Sequence, residues 1–253
     1  MKFIDRIGEV KYNKFGSKME IITYRCNNDI DVYFEEYDWI YYNAEYKRFK
    51  NGQLKCPYEK TVCNKGYIGE GEYRVSENKR HTNCYLLWKG MLHRCYDKKY
   101  HKKHLTYKDC EVCEEWLNFQ NYAKWKQENY YQVNDEKMHL DKDILIKGNK
   151  IYSPKTCVFV PHTINELFTK SDKTRGNLPI GVSYDKESKK YKAYCKINGK
   201  QKTLGRFDTP QEAFQVYKIA KEKEIKRVAD EYKPYIPNKL YQAMYGYEVE
   251  ITD

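Results

Sequence analysis

An α+β fold built from several small modules is predicted by three features of this sequence. Short runs rich in Val, Ile, Tyr and Phe, bounded by Asn, Gly and Pro, recur near the N-terminus, in the middle and after residue 178. Aromatic residues at helical spacing fill much of the stretch from 83 to 129. At 253 residues the chain is long enough for two or three domains, and polar stretches at 76–82 and 169–177 read as linkers. The expected layout is a small N-terminal β-barrel-like module at 1–75 and a central unit at 83–170 made of helices, a hairpin and a short helix. A three-stranded antiparallel sheet packed on one helix follows at 178–230, then a tail at 231–253.

In the first module, residues 19–24 and 29–34 carry the β-branched and aromatic content of strands, with Asn27-Asn28 as the turn between them. Further turns at Gly52, Pro57 and Gly66 to Gly69 suggest a small barrel. Tyr33, Phe34, Tyr37, Trp39, Tyr41 and Tyr42 are expected in its core.

Asn83 is placed to cap a helix in which Trp88, Met91, Leu92 and Cys95 share a face. A second helix over about 113–129 carries Trp116, Phe119, Tyr122 and Trp125. A Lys- and His-rich loop joins them. His101-x-x-His104 with Cys110-x-x-Cys113 has the ligand types of structural zinc. Only five residues separate the pairs, fewer than zinc fingers use, so no zinc is expected there. The nine cysteines are an odd set without the spacing of a secreted scaffold, and reduced thiols in a cytosolic compartment are expected.

Residues 138–168 are the stretch around which the rest is organised. A strand over about 139–145, a polar turn at Lys147-Gly148-Asn149-Lys150 and a second strand over about 157–160 lead to a helix with Pro161 in its first turn. A hairpin on a short helix can hold an Asp from the first strand and an Asn from the helix around one divalent cation. That arrangement suits phosphodiester hydrolysis, because a metal stabilises charge on the phosphate and the leaving oxygen.

After residue 178, three strands are expected over 180–184, 191–197 and 201–207, with Asn198-Gly199 as a hairpin turn whose two positions need positive φ. Thr209-Pro210-Gln211-Glu212 is a capping box opening a helix to about 230. Alternation turns Tyr191, Ala193, Cys195 and Ile197 toward that helix and Lys192, Tyr194 and Lys196 away from it. Between Arg175 and Val228 there are 14 Lys or Arg against 6 Asp or Glu, so this segment supplies +8 of the chain's +11. Such a charge favours an anionic partner, with nucleic acid ahead of membrane, and no apolar run is long enough to span a bilayer.

Two resemblances sharpen this reading. Leu140-Asp141-Lys142-Asp143, Asn149, Tyr152-Ser153-Pro154, Cys157, Phe159-Val160-Pro161 and Asn165 resemble the ββα-metal finger of phage-type HNH homing endonucleases. Tyr85, Trp88, Met91-Leu92, Arg94-Cys95-Tyr96 and Val112-Cys113-x-Glu115-Trp116 extend that resemblance back to about residue 83. It implies Asp141 and Asn165 as metal ligands, Mg²⁺ or Mn²⁺ as cofactor, and a phage-encoded protein in the bacterial cytoplasm. The family's general base is a His directly after the Asp. Lys142 stands there, and an ordinary Lys is protonated at neutral pH. The candidate catalytic residues are Lys142, as a brace for the scissile phosphate, Asp143 or His162 in a supporting role, and His139, which alternation turns to the opposite face from Lys142 and so makes a poor direct substitute for the family's base.

Gly181-Val182-Ser183-Tyr184-Asp185, Tyr191-x-Ala193 and Leu204-Gly205-x-Phe207-x-Thr209-x-x-Glu212-Ala213-x-x-Tyr217 resemble the ethylene-response (APETALA-type) DNA-binding domain over about 178–228. That resemblance places DNA-facing side chains at Ser183, Lys192, Tyr194, Lys196, Gln201 and Thr203, and at Asp185, whose charge is a poor match for phosphate. The function expected is site-specific binding of double-stranded DNA with metal-dependent cleavage. The alternative, favoured by Lys142, is a catalytically inactive DNA-binding regulator or anti-defence protein on the same scaffold.

Overall fold

In the computed structural model, which describes residues 5–169 and 176–251, the β-rich N-terminal sequence forms an open antiparallel sheet. Its strands β1 (Val10–Tyr12), β2 (Lys18–Cys26), β3 (Asp29–Phe34) and β4 (Trp39–Ala44) lie in that order, with the expected turn at Asn27-Asn28. The expected barrel does not form. After β4 the chain enters α1 (Tyr46–Lys50) and irregular turns, and Phe49, Leu54 and Cys56 cover the sheet's inner face instead of a strand returning to β1. Of the six aromatics expected in the core, Phe34 is fully buried and Tyr42 is exposed.

The expected linker at 76–82 contains a small hairpin of β5 (Ser76–Glu77) and β6 (Arg80–His81). Helix α2 (Asn83–Tyr96) is capped one residue earlier than expected, by Thr82, whose side chain accepts from the Tyr85 amide at 3.2 Å. The loop beyond it holds a further helix, α3 (Lys98–Lys103). The single helix expected over 113–129 is two, α4 (Glu114–Leu117) and α5 (Phe119–Asn129). Backbone bonding causes the break: the Tyr67 amide donates to Leu117 O and the Phe119 amide to Tyr67 O, both at 2.9 Å, which holds Asn118 extended. Trp88, Trp116, Phe119 and Tyr122 are fully buried around this break, and Trp88 Nε1 donates to Trp116 O at 2.7 Å.

The chain forms two compact units, one running to Glu128 and including Ile151–Ser153, the other made of Asn129–Lys150 and the residues from Pro154 onward. In the first, β7 (Glu111–Val112) pairs in parallel with β9 (Ile151–Tyr152). In the second, β8 (Met138–Asp141) pairs antiparallel with β10 (Val158–Pro161), which runs into α6 (His162–Leu167). The strand expected to reach 145 stops at Asp141, because that carboxylate accepts the amides of Asp143 and Ile144 at 2.9 and 2.7 Å and turns the chain. Pro161 is therefore the last residue of β10 and the N-cap of α6, not a residue of the helix's first turn.

Strands β11 (Val182–Asp185), β12 (Lys190–Ile197) and β13 (Lys200–Phe207) form the expected antiparallel sheet. Asn198 and Gly199 turn it with φ of 50° and 73°. Helix α7 (Pro210–Tyr232) opens with the expected capping box: Thr209 accepts from the Glu212 amide at 3.2 Å, and the Glu212 carboxylate accepts from the Thr209 amide at 3.1 Å. The tail adds α8 (Asn238–Tyr245), which inserts Leu240 and Met244. Val158, Val160 and Ile164 of the hairpin and α6 share one core with Ala193, Cys195, Ala213 and Ile225. Most of the linker expected at 169–177 lies outside the described residues. Among those described, no helix is long and apolar enough to cross a membrane.

Candidate nucleic-acid interface and metal site

Pairing in the C-terminal sheet sets which side chains share its outer face. Ser183 sits opposite Lys192, which sits opposite Arg206; Tyr194 opposes Thr203, and Lys196 opposes Gln201. Ala193 and Cys195, on the other face, are buried. Ser183, Lys192, Tyr194, Lys196, Gln201 and Thr203 therefore lie on one surface, with Asp185 two residues along β11 from Ser183. Three strands at the usual spacing are ~10 Å across, within the ~12 Å width of a DNA major groove.

Arg206 belongs to this surface and is not among the residues expected there. Strict alternation from Gln201 and Thr203 assigns it to the inner face. A bulge between Ala193 and Tyr194 inserts one extra residue on β13 and reverses the parity. Arg206 Nε meets Asp185 Oδ2 at 2.7 Å, and this guanidinium holds the Asp185 carboxyl down at about 2. Lys196 meets Glu166 of α6 at 3.0 Å, and Lys190 meets Asp208 at 3.1 Å. Among the described residues, Lys192 has no ion pair. Glu166 and Asp208 are exposed, so their pairs with Lys196 and Lys190 are of a kind worth at most about 1 kcal/mol and readily exchanged for a phosphate, whereas Asp185 is largely covered and holds Arg206 more firmly.

In the hairpin, Asp141 ends β8 with one carboxylate oxygen taken by two backbone amides. Burial, and then the nearby Asp143 charge, push its carboxyl up to about 6. Lys142 is buried, and its ammonium lies 3.1 Å from Asp143, which is half exposed. Its backbone oxygen accepts from Asn149 Nδ2 at 2.7 Å, so the turn is braced from both ends. Lys142 follows the strand and is not part of it, so alternation does not set its direction relative to His139.

His139 and His162 come together, with Nε2 and Nδ1 3.2 Å apart and ring centroids 5.3 Å apart. One nitrogen of that pair donates and the other accepts. Nearby, Glu136 accepts from the Thr163 amide at 3.0 Å and from Tyr232 Oη at 2.5 Å. Because Pro161 pairs with Met138 and Val158 with Asp141, α6 starts at the end of the hairpin away from Asp141, about 10 Å along the strands. His139 is the strand residue that meets the helix start. No hydrogen bond joins Asp141 and Asn165 among the described residues.

Mg²⁺ binds through one or two carboxylates and completes its shell with water and substrate phosphates. Asp141 and Asn165 fit that donor chemistry in type. Among the described residues no three His, Cys, Asp or Glu side chains converge as a closed metal cage. The four residues of the zinc-like pattern have other neighbours. His101 Nε2 lies 2.8 Å from Arg94 O, His104 stacks on Tyr100, Cys110 Sγ donates to Thr106 O, and the Cys113 amide donates to Tyr152 O. All nine cysteines are free thiols.

The sequence matches no protein-family model, and neither the curated proteins nor the solved structures contain a match to it.

Proposed function

We propose that this chain binds double-stranded DNA through the outer face of its C-terminal sheet and cleaves a phosphodiester bond with Mg²⁺ or Mn²⁺ at Asp141 and Asn165. The observation that carries the binding half is the Ser183–Lys192–Arg206 row with Tyr194, Thr203, Lys196 and Gln201 beside it, on a segment that holds most of the chain's excess charge. Cations there engage phosphates, while Tyr194, Thr203 and Gln201 reach base edges. The bound cation supplies Lewis-acid stabilisation of the phosphoryl oxygens. Asp141 carries the negative charge that holds it. His139 shares a strand face with Asp141, and its pairing with His162 makes it the candidate acceptor for the proton of the attacking water. The Lys142 ammonium is held by Asp143 and serves as a cationic brace.

That same ion pair, which occupies the Lys142 ammonium, favours a second reading, a DNA-binding protein without nuclease activity that keeps the scaffold for docking. Both readings, including the homing-type and anti-defence roles, rest on DNA binding. Reversing Lys192 and Lys196 to Glu is expected to weaken duplex binding about tenfold or more at moderate salt and to lower the salt slope by about two. A gel-shift titration with unchanged affinity would remove the sheet from the interface.

A further inference from the structure

The N-terminal unit carries a second cationic surface that the sheet does not include. Helix α3 places Lys98 and Lys102, and Lys99 and Lys103, one turn apart, an arrangement of like charges that costs stability in water. The adjacent Asp97 is engaged as the helix cap, accepting the Lys99 and Tyr100 amides at 2.7 and 3.3 Å, and lies 3.3 Å from His93 Nδ1. Lys98, Lys99, Lys102 and Lys108 are exposed and have no ion pair among the described residues. Arg25, by contrast, is answered by Asp29 and Asp31, and Arg227 by Glu224 and Glu231.

Arg94 is the second observation. Its guanidinium lies over the rings of Tyr152 and Tyr107, at 5.4 and 6.0 Å, and donates from Nε to Tyr152 Oη at 3.1 Å. No carboxylate partners it among the described residues. It is tied to the lysine helix, because Tyr107 lies in the turn following α3 and His101 of α3 sits 2.8 Å from Arg94 O. A guanidinium fixed by aromatic faces with its fork uncommitted suits a phosphate oxygen, and peripheral lysines suit the phosphates beside it.

We propose that α3 and Arg94 form a second contact surface for the phosphate backbone of duplex DNA, separate from the sheet; this partner rests on the DNA-binding reading above. A six-residue helix whose large exposed apolar neighbour is Leu105 is too short to lie in a bilayer surface, so an anionic membrane is the less suited polyanion.

The test compares the full chain with a Lys98→Glu/Lys99→Glu/Lys102→Glu variant and with Lys192→Glu/Lys196→Glu. Each is titrated against a random-sequence duplex between about 50 and 200 mM salt. Glu at 98 and 99 suits the helix dipole, Glu at 102 lies in the last turn and opposes it, and the Lys→Gln triple variant checks that charge alone is read. The α3 variant is expected to bind about tenfold or more weakly and to lose about three from the salt slope, with the Gln triple intermediate. Wild-type affinity and slope in the α3 variant, with weakened binding in the sheet variant, would overturn the second surface and leave the DNA-binding reading standing. An absence of duplex binding by the unaltered chain would end both. Loss of binding to phosphatidylserine vesicles with unchanged DNA binding would overturn the assignment in favour of a membrane.

Discussion

Asp141→Ala is expected to abolish Mg²⁺-dependent cleavage of duplex DNA, a loss of at least about 10³-fold, while duplex binding stays close to that of the unaltered chain. A cation's stabilisation of a phosphoryl transition state is worth several kcal/mol, and every ~1.4 kcal/mol is tenfold in rate. Asp141 also holds the turn after β8 through the Asp143 and Ile144 amides, so alanine removes both a charge and a structural acceptor. Asp141→Asn separates these roles: it keeps an oxygen for the two amides and loses the charge. Plasmid nicking followed on agarose with Mg²⁺ or Mn²⁺ reads the result. Activity lost in both variants assigns the charge to catalysis. Activity retained by Asn and lost by Ala assigns the turn instead, and cleavage at the wild-type rate by both removes Asp141 from the chemistry. Intact binding without cleavage by the unaltered chain selects the inactive reading.

Gly181→Ala is expected to destabilise the C-terminal unit by about 2–5 kcal/mol and to disable its sheet as a DNA-binding surface. Gly181 has φ of +73°, a conformation that costs an L-residue about 1–2 kcal/mol. An added methyl would also lie 2.1 Å from Tyr217 Cδ2, and that ring is buried in the core between the sheet and α7. Overpacking of this kind adds about 1–3 kcal/mol. Gly199 supplies the control, since it has the same φ of +73° and an added methyl there would meet nothing within 4 Å. Its alanine variant therefore isolates the backbone cost. Urea unfolding of the two variants should differ by the packing contribution, and equal midpoints would mean that the Tyr217 contact does not form.

The C-terminal unit was the most legible part of the chain because its signals are local. Asn198-Gly199, the Thr209–Glu212 box and the alternation along β12 each act over a few residues, and each appears where the sequence places it. The bulge that exposes Arg206 depends on how β13 pairs with β12, which no window on β13 alone reveals. Long-range bonding likewise explains the break at Asn118, where Tyr67 takes the backbone groups that a continuous helix would use. Strands β7 and β9 are two residues each and exist only through one another. The open N-terminal sheet is a further case: strand content is written in the sequence, but closure depends on what returns to β1. At the hairpin, residue types suggested a continuous strand, and one carboxylate turning back on two amides shortened it. The meeting of His139 and His162 follows from β8–β10 register and could be anticipated only once Pro161 was known to pair with Met138.

DNA affinity is the property on which every other assignment depends, and its dependence on ionic strength measures that property most directly. Fluorescence anisotropy of a labelled random duplex, titrated with the full chain at salt concentrations from about 50 to 200 mM, should show affinity falling with a log–log slope of at least about −3. An undetectable interaction at the lowest salt, or an affinity that salt leaves unchanged, would contradict the account.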